Sequence, residues 1–231
     1  MLRAELDATR ETQWDQVRQY VLGYAARRPV ERVAVLGNAP LTPDAERAAT
    51  IDAADLVIRV NAFVLDGPDE PPTLGTACHA VLLSRATVMT PWSLRGYRDR
   101  AYLVPQAGWV QYRPGDDVGL LFSAGFWPPD LGAMPLPNAV VKARLVHLLD
   151  PSARPGSVIP TTGLTAVFLA HEMFPDAELV ATGFSFLDDE KQKTWSHHSG
   201  GHTKVNWQHH LDLEAALLRS WIEDGSLRML P

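Results

Sequence analysis

Arg32-Val33-Ala34-Val35-Leu36-Gly37-Asn38-Ala39-Pro40 and, after a polar interval, Asp55-Leu56-Val57-Ile58-Arg59-Val60-Asn61 decide the fold. Both runs are short and dominated by β-branched and aliphatic residues, the pattern of strands covered on both faces in a parallel sheet. Between them Thr42-Pro43-Asp44 supplies an N-cap, a proline at the first helical position and an early acid, so a short helix to about Thr50 is expected. Strand, turn, helix and strand in that order form a βαβ unit with a right-handed crossover.

The same alternation extends outward. Trp14, Val17, Val21 and Tyr24 recur at helical spacing and predict an amphipathic helix over residues 12–26, ended by Arg27-Arg28-Pro29. Residues 78–83, 101–104 and 118–122 read as further strands, and 137–149 as a helix that Asp150-Pro151 closes. An apolar helical segment follows Pro160-Thr161-Thr162-Gly163, and 179–184 is strand-like. A last helix is expected from about Asn206 to Gly225, with Leu213, Leu217, Leu218, Trp221 and Ile222 inward. No repeat, low-complexity tract or linker interrupts the chain. One α/β domain over 1–231, a Rossmann-like parallel sheet flanked by helices, is the expectation.

Composition excludes several function classes. The 231 residues are 46% hydrophobic and 21% charged, an ordinary globular mixture with enough chain for a sizeable core. Cys78 is the one cysteine, which rules out an intramolecular disulfide and a Cys-rich zinc site and fits a reducing, cytoplasmic setting. No stretch has the length and apolarity of a secretion signal or membrane span. With 21 Lys and Arg against 27 Asp and Glu the net charge is −6, which argues against nucleic acid as a partner. A local pocket for a small anion is compatible with that sign.

Two segments carry candidate chemistry. Thr161, Thr162 and Gly163 precede an apolar helical pattern, so they serve either as a cap or as a phosphate cradle facing the helix start. Of eight histidines, five cluster at His197, His198, His202, His209 and His210. One reading is a metal site completed by Asp188, Asp189 or Asp212; another is a set of solvated surface rings; the third is acid–base and phosphate-contact work near neutral pH. The spacing matches neither a His-Glu-x-x-His zinc helix nor a zinc finger. If Asn206 caps the last helix, His209 lies in its first turn, where the dipole keeps the ring neutral. His198 sits in a polar loop whose Ser199-Gly200-Gly201 could close over a ligand. Dinucleotide, Walker, nucleophile-elbow and Asp-x-Asp signatures are missing, which favours an anion site that needs no metal.

Four segments in order resemble the sialyltransferase family of eukaryotic type, glycosyltransferase family 29. Residues 32–83, with Val35-Leu36-Gly37-Asn38, Arg59-Val60-Asn61 and Leu74-Gly75-Thr76, are similar to the long donor motif. Residues 160–184 are similar to the short motif. Within 195–214, Trp195-Ser196-His197-His198 resembles the third motif, and the spacing from His209 to Glu214 that of the very short motif. The resemblance implies a GT-A-like sialyltransferase variant, a CMP-linked acidic sugar of sialic acid or Kdo type as donor, a glycan or other hydroxyl acceptor, inversion at the anomeric carbon, and neither metal nor cofactor. It assigns Gly37, Asn38, Asn61, Thr161, Thr162, Gly163 and Gly183 to the donor, His198 to the leaving phosphate and His209 to the base.

The chain also departs from the pattern. Ser199 stands where the third motif has an aromatic residue, and no anchor, stem or inter-motif disulfide is visible, which suggests a cytosolic bacterial form. His210, four residues before Glu214, is the ring that helical geometry would pair with that carboxylate, while His209 matches the motif. Two other readings stand beside the transferase: a nucleotide-binding module without transfer, and a metal-dependent hydrolase that uses the histidine cluster.

Overall fold

The computed structural model describes residues 2–84, 90–105, 128, 130–136, 141–154 and 156–231, with side chains from Glu11 onward. In β1 (Arg32–Leu36), Val33 and Val35 enter one apolar cluster while Ala34 and Leu36 enter another, as the two-residue period of a strand requires. Both faces of the sheet are therefore covered. On one side β1 pairs in parallel with β2 (Leu56–Val60), followed by β3 (Ala80–Leu82), β4 (Ala101–Val104) and β5 (Met134–Pro135). On the other side lie β6 (Glu178–Thr182) and β9 (Arg228–Met229). All these pairings are parallel.

The face that carries Val33 and Val35 is covered by α1 (Leu2–Leu22), α4 (Lys142–Leu149), α5 (Thr162–Met173) and α6 (Leu211–Glu223). Trp14 of α1 meets Phe168 of α5 with ring centroids 6.3 Å apart, and every residue from Leu164 to Ala170 is buried. Ile51 of α2 (Ala45–Asp52) covers the opposite face. α3 (Pro91–Leu94) lies beside the third cluster, around Phe63 and Tyr102. Strands leave β1 in both directions, so the chain reverses its winding between β1 and β6. In open parallel sheets that switch point opens a crevice at the carboxyl ends of the strands.

Several boundaries differ from the sequence reading. α1 begins at Leu2 rather than 12 and stops at Leu22, since its first turns carry mixed charges instead of an apolar stripe. α2 is capped by Asp44, whose Oδ1 accepts from Arg47 N at 2.9 Å, and not by Thr42. α6 starts at Leu211. Asn206 spends its Oδ1 on Gln208 N at 3.1 Å in a tight turn, so His209 precedes the helix and lies outside its first turn. The polar loop after Trp195 is a hairpin, β7 (Thr194–Ser196) against β8 (His202–Lys204). Ile222 is 36% exposed, while Leu218 and Trp221 face the core. The strand expected at 118–122 and the start of the helix expected at 137 lie outside the described residues.

At the switch point the backbones of β1 and β6 touch. Gly37 N donates to Thr182 O at 2.9 Å, Ala39 N donates to Gly183 O at 3.2 Å, and Gly183 takes φ +77. A Cβ at Gly37 would stand 2.1 Å from Gly183 O, an overlap with backbone that no rotamer relieves. Gly37→Ala should therefore lower stability by about 3 kcal/mol or more, the upper range of overpacking. The urea midpoint of the variant measures it, and a midpoint like the parent's would show that the two strands can separate at no cost.

Candidate functional site

A cleft of about 1410 Å³ opens above the carboxyl ends of β1, β2 and β6 and beneath the β7–β8 hairpin. Gly37, Asn38, Asn61, Thr161, Thr162, Gly163, Gly183, His197, His198 and His209 all line it; His210 and Glu214 do not. Gly37, Asn38, Asn61, Gly183 and residues 161–163 meet on one surface because they lie at strand ends and a helix start that the parallel sheet points the same way, while the β7–β8 hairpin and the loop before α6 bring the histidines over them. Asn61 sits in the left-handed region at φ 48, which asparagine tolerates, and its Oδ1 accepts from Ser84 N at 2.7 Å.

At the start of α5 the two roles proposed for the threonines separate. Thr161 caps the helix: its hydroxyl accepts from Leu164 N at 3.1 Å and donates to Glu214 Oε2 at 2.5 Å, and its N–H donates to Glu214 Oε1 at 2.9 Å. That hydroxyl is consumed inside the protein. What faces the cleft is Thr162 and Gly163, whose N–H groups at the helix start have no carbonyl partner within a helix. Gly163 is small because Phe184 lies over it; a Cβ would come within 2.9 Å of the ring.

Glu214 is wholly buried, and its carboxyl binds Thr161 instead of either histidine. His210 occupies the N-cap position of α6 and offers its backbone carbonyl to Glu214 N at 3.0 Å, so the ring-to-carboxylate pair expected along the helix does not form. Burial pushes the Glu214 carboxyl up to about 8, and the Thr161 hydrogen bonds offset only part of that. The acid is therefore largely protonated at neutral pH.

Of the four histidines on the cleft, His197, His198, His202 and His209, backbone partners set opposite tautomers for His198 and His209. His209 Nδ1 lies 2.6 Å from Ile159 O; a carbonyl only accepts, so Nδ1 carries the proton and Nε2 keeps a lone pair. Burial lowers the pKa of His209 below the ordinary histidine value, more than the Ile159 carbonyl raises it, and His210 lowers it further. Neutrality comes from desolvation rather than from a helix dipole. Trp195 braces the ring edge-on at 6.4 Å, Phe186 braces Trp195 at 6.4 Å, and Phe184 braces Phe186 at 6.0 Å. That aromatic series links Gly163 to His209, and sequence reasoning missed Phe186 as part of it. His198 Nδ1 instead accepts from Leu41 N at 3.4 Å, which places the proton on Nε2 and makes that atom a donor. His198 N also donates to Asn38 O at 2.7 Å, tying the hairpin to the β1–α2 loop. His197 Nε2 meets Thr203 Oγ1 at 3.3 Å, so its ring braces the hairpin.

Among the described residues no group of three or more His, Cys, Asp or Glu side chains is placed to hold a metal ion. The cleft is lined by Asp66 and Glu70, yet Asp66 accepts from the N–H groups of Thr73, Leu74 and Gly75, and Glu70 from that of Gly67.

No family model and no curated protein matches the chain. Solved structures do. A crystal structure of a mammalian sialyltransferase matches with a TM-score of 0.54 and 13% identity, covering 94% of this chain and 78% of that one. A second, of a mammalian sialyltransferase in complex with Gal-beta-1-3GalNAc-ortho-nitrophenol, matches with a TM-score of 0.52 and 12% identity, covering 96% and 85%. The chain has the fold of these proteins: a seven-stranded parallel sheet flanked by helices.

The Glu214 carboxyl gives a pH signature. Because burial raises it from 4.5 to about 8, its contribution to stability is complete below pH 4.5 and declines as pH rises toward 8. Glu214→Gln keeps an acceptor for Thr161 N without the titration, and the Thr161 hydroxyl turns from donating to Oε2 to accepting from the amide nitrogen. Unfolding free energies at pH 5 and pH 8 should fall for the parent relative to Glu214→Gln by on the order of 3 kcal/mol between the two values. Parallel curves would show that Glu214 ionises normally.

Proposed function

We propose that this chain is an inverting glycosyltransferase that moves an acidic sugar from its CMP ester to a hydroxyl of an acceptor glycan without a metal. The observation that carries this reading is the pair of opposite tautomers on one cleft: His209 presents a lone pair and His198 a donor, with the α5 start between the donor motifs. The likeness in fold to the mammalian sialyltransferases, one of them holding a disaccharide glycoside, supports it.

In this reading the donor phosphate lies against the first-turn N–H groups of α5, the Thr162 hydroxyl and His198 Nε2–H. The acceptor hydroxyl faces His209 Nε2. Its proton passes to Nε2 while its oxygen forms a bond to the anomeric carbon from the side opposite the phosphate. The bond from anomeric carbon to phosphate oxygen breaks, and its electron pair leaves with CMP. Fixed N–H donors meet the negative charge that grows on the phosphate, which costs no reorganisation because the backbone already holds them. The Ile159 carbonyl retains Nδ1–H throughout and stabilises the imidazolium that forms.

CMP should raise the melting temperature in EDTA where uridine and adenosine monophosphates do not. CMP release from CMP-linked sialic acid or Kdo should need no divalent ion. Binding without release would make the chain a nucleotide module; release only with added metal would favour a hydrolase. His209→Ala should lower turnover by about 10²–10⁴-fold with CMP affinity intact, whereas His198→Ala should weaken both. The acid limb of kcat/KM should have its midpoint below 6.5, since burial lowers the His209 pKa and a base is active above it. Thr162→Val should weaken CMP about tenfold, the worth of one hydrogen bond to a charged group, at unchanged stability because Thr161 supplies the cap. Lost stability with unchanged CMP affinity would remove Thr162 from the phosphate.

A further inference from the structure

Lys204 lines the cleft from β8 and is its only lysine or arginine among the described residues. Arg27, Arg32, Arg144, Arg219 and Arg228 each hold an Asp or Glu in an ion pair, and no described carboxylate does the same for Lys204. In a chain of net charge −6, a cation left open on a cleft is available to an anionic ligand. Its backbone is fixed. Lys204 lies opposite Thr194 in the hairpin, and Val205 N donates to Lys193 O at 2.9 Å, so the pairing runs up to the turn at Asn206 that leads to His209. Ser196, His202 and Lys204 follow the two-residue period onto one face of the hairpin, and all three line the cleft. The neighbouring Thr203 lies opposite Trp195, whose ring meets that of His209 at 6.4 Å. Five bonds of about 1.5 Å carry a lysine ammonium roughly 6 Å from its Cα, far enough to span a sugar ring from the strand.

A sugar transferred between His198 and His209 lies along this hairpin, because His198 stands in its loop and Trp195 at its base meets His209. In sialic acid and Kdo the carboxylate is on the anomeric carbon itself, one bond from the atom that changes partners. That charge travels with the reacting carbon, so its reader must belong to the same wall. The segment after β2 is unsuited, since it contributes the carboxylates Asp66 and Glu70 to the cleft and like charges repel. The groups assigned to the phosphate are backbone N–H donors, a hydroxyl and a neutral imidazole, which leaves a second negative charge without a counterpart unless Lys204 supplies it.

We propose that Lys204 is the specificity-determining residue for the donor sugar: its ammonium pairs with the carboxylate on the anomeric carbon, so that one residue of the hairpin separates an acidic donor from a neutral one. The proposal rests on the transferase reading for the identity of the donor. It adds that the sugar's charge and the nucleotide are read by different parts of the cleft. A compact ammonium on a flexible stem suits the task, because it can follow a carboxylate that moves with the anomeric carbon during transfer, where a guanidinium fork would impose a fixed geometry.

The test is a cycle across ligand and protein, using the full chain without acceptor. CMP, CMP-sialic acid and the methyl ester of CMP-sialic acid are titrated into the parent, Lys204→Met and Lys204→Arg. CMP affinity should be the same in all three proteins. CMP-sialic acid should bind Lys204→Met about tenfold or more weakly than the parent, the loss of one hydrogen bond between charged groups, with Lys204→Arg keeping most of the affinity. The ester, which has no charge for the ammonium to meet, should bind parent and Lys204→Met alike. Added salt should weaken the parent's hold on the acid more than on the ester. A parent that binds the acid no better than the ester, or an equal loss for both in Lys204→Met, overturns the proposal and leaves CMP binding, and the transferase reading with it, standing. Failure of the parent to bind CMP or CMP-sialic acid overturns both.

Discussion

The contact of bare backbone between Gly37 and Gly183 is the constraint on which the site depends. A parallel sheet that reverses its winding must bring two strand ends side by side, here those of β1 and β6, and the chain segments leaving them diverge to opposite faces. A side chain at either glycine would hold the loops apart: a Cβ on Gly37 meets the Gly183 carbonyl, and one on Gly183 would come within 3.0 Å of Gly37 O at a backbone conformation that disfavours it. With both absent, Ala39 can donate to Gly183 O, and the carbonyl of Asn38 is left for His198 N. The two glycines thus shape the floor of the cleft.

From that floor a second set of bonds builds the reactive wall. Residues 159–161 are fastened to 208–214 by Ile159 N to Gln208 O, His209 Nδ1 to Ile159 O, and Thr161 N and Oγ1 to the Glu214 carboxyl. The segment that starts α5 is therefore the one that sets the His209 tautomer, so the helix start and that ring cannot move independently. Placing the Glu214 carboxyl in an apolar interior costs several kcal/mol if it is ionised, and protonation avoids that cost. A neutral acid also adds no negative charge behind the start of α5.

Legibility in the sequence followed the range of the interactions involved. β1, β2 and β4 were readable because short runs rich in aliphatic, β-branched and aromatic residues have few alternatives, and the α5 cap because Thr161 meets Leu164 three residues on. The start of α6 was not. Asn206 closes a local turn with the same side-chain chemistry it would use as a cap, and only packing decides between them. The partner of Thr161 lies 53 residues away and that of His209 Nδ1 50 residues away, the latter a backbone carbonyl that no residue type announces. Motif likeness gathered the cleft-lining residues, but it could not tell Thr161, whose hydroxyl is spent inside, from Thr162, whose side chain faces the cleft. Nor could spacing show that Glu214 serves Thr161 rather than His210.

The transferase proposed above would have to accept an anionic donor on a chain of net charge −6, which calls for a particular local arrangement. Lys204 is the only lysine or arginine among the described cleft residues, so dense positive charge is not the means. The acids nearby are instead occupied: Asp66 by three N–H groups, Asp52 by those of Thr76 and Ala77, and Glu214 by protonation. Behind them Arg59, 1% exposed, donates to the carbonyls of Val64, Leu74, Gly75 and Ala77. Desolvation lowers its pKa to about 10, which still leaves it charged at neutral pH, where it attracts Asp52 and Asp66 across the loop. The loop is thereby held from both sides, cation behind and carboxylates in front. The polar groups left facing the cleft are mainly fixed dipoles and imidazoles, which is how the proposed transferase would bind a phosphate that it must also release.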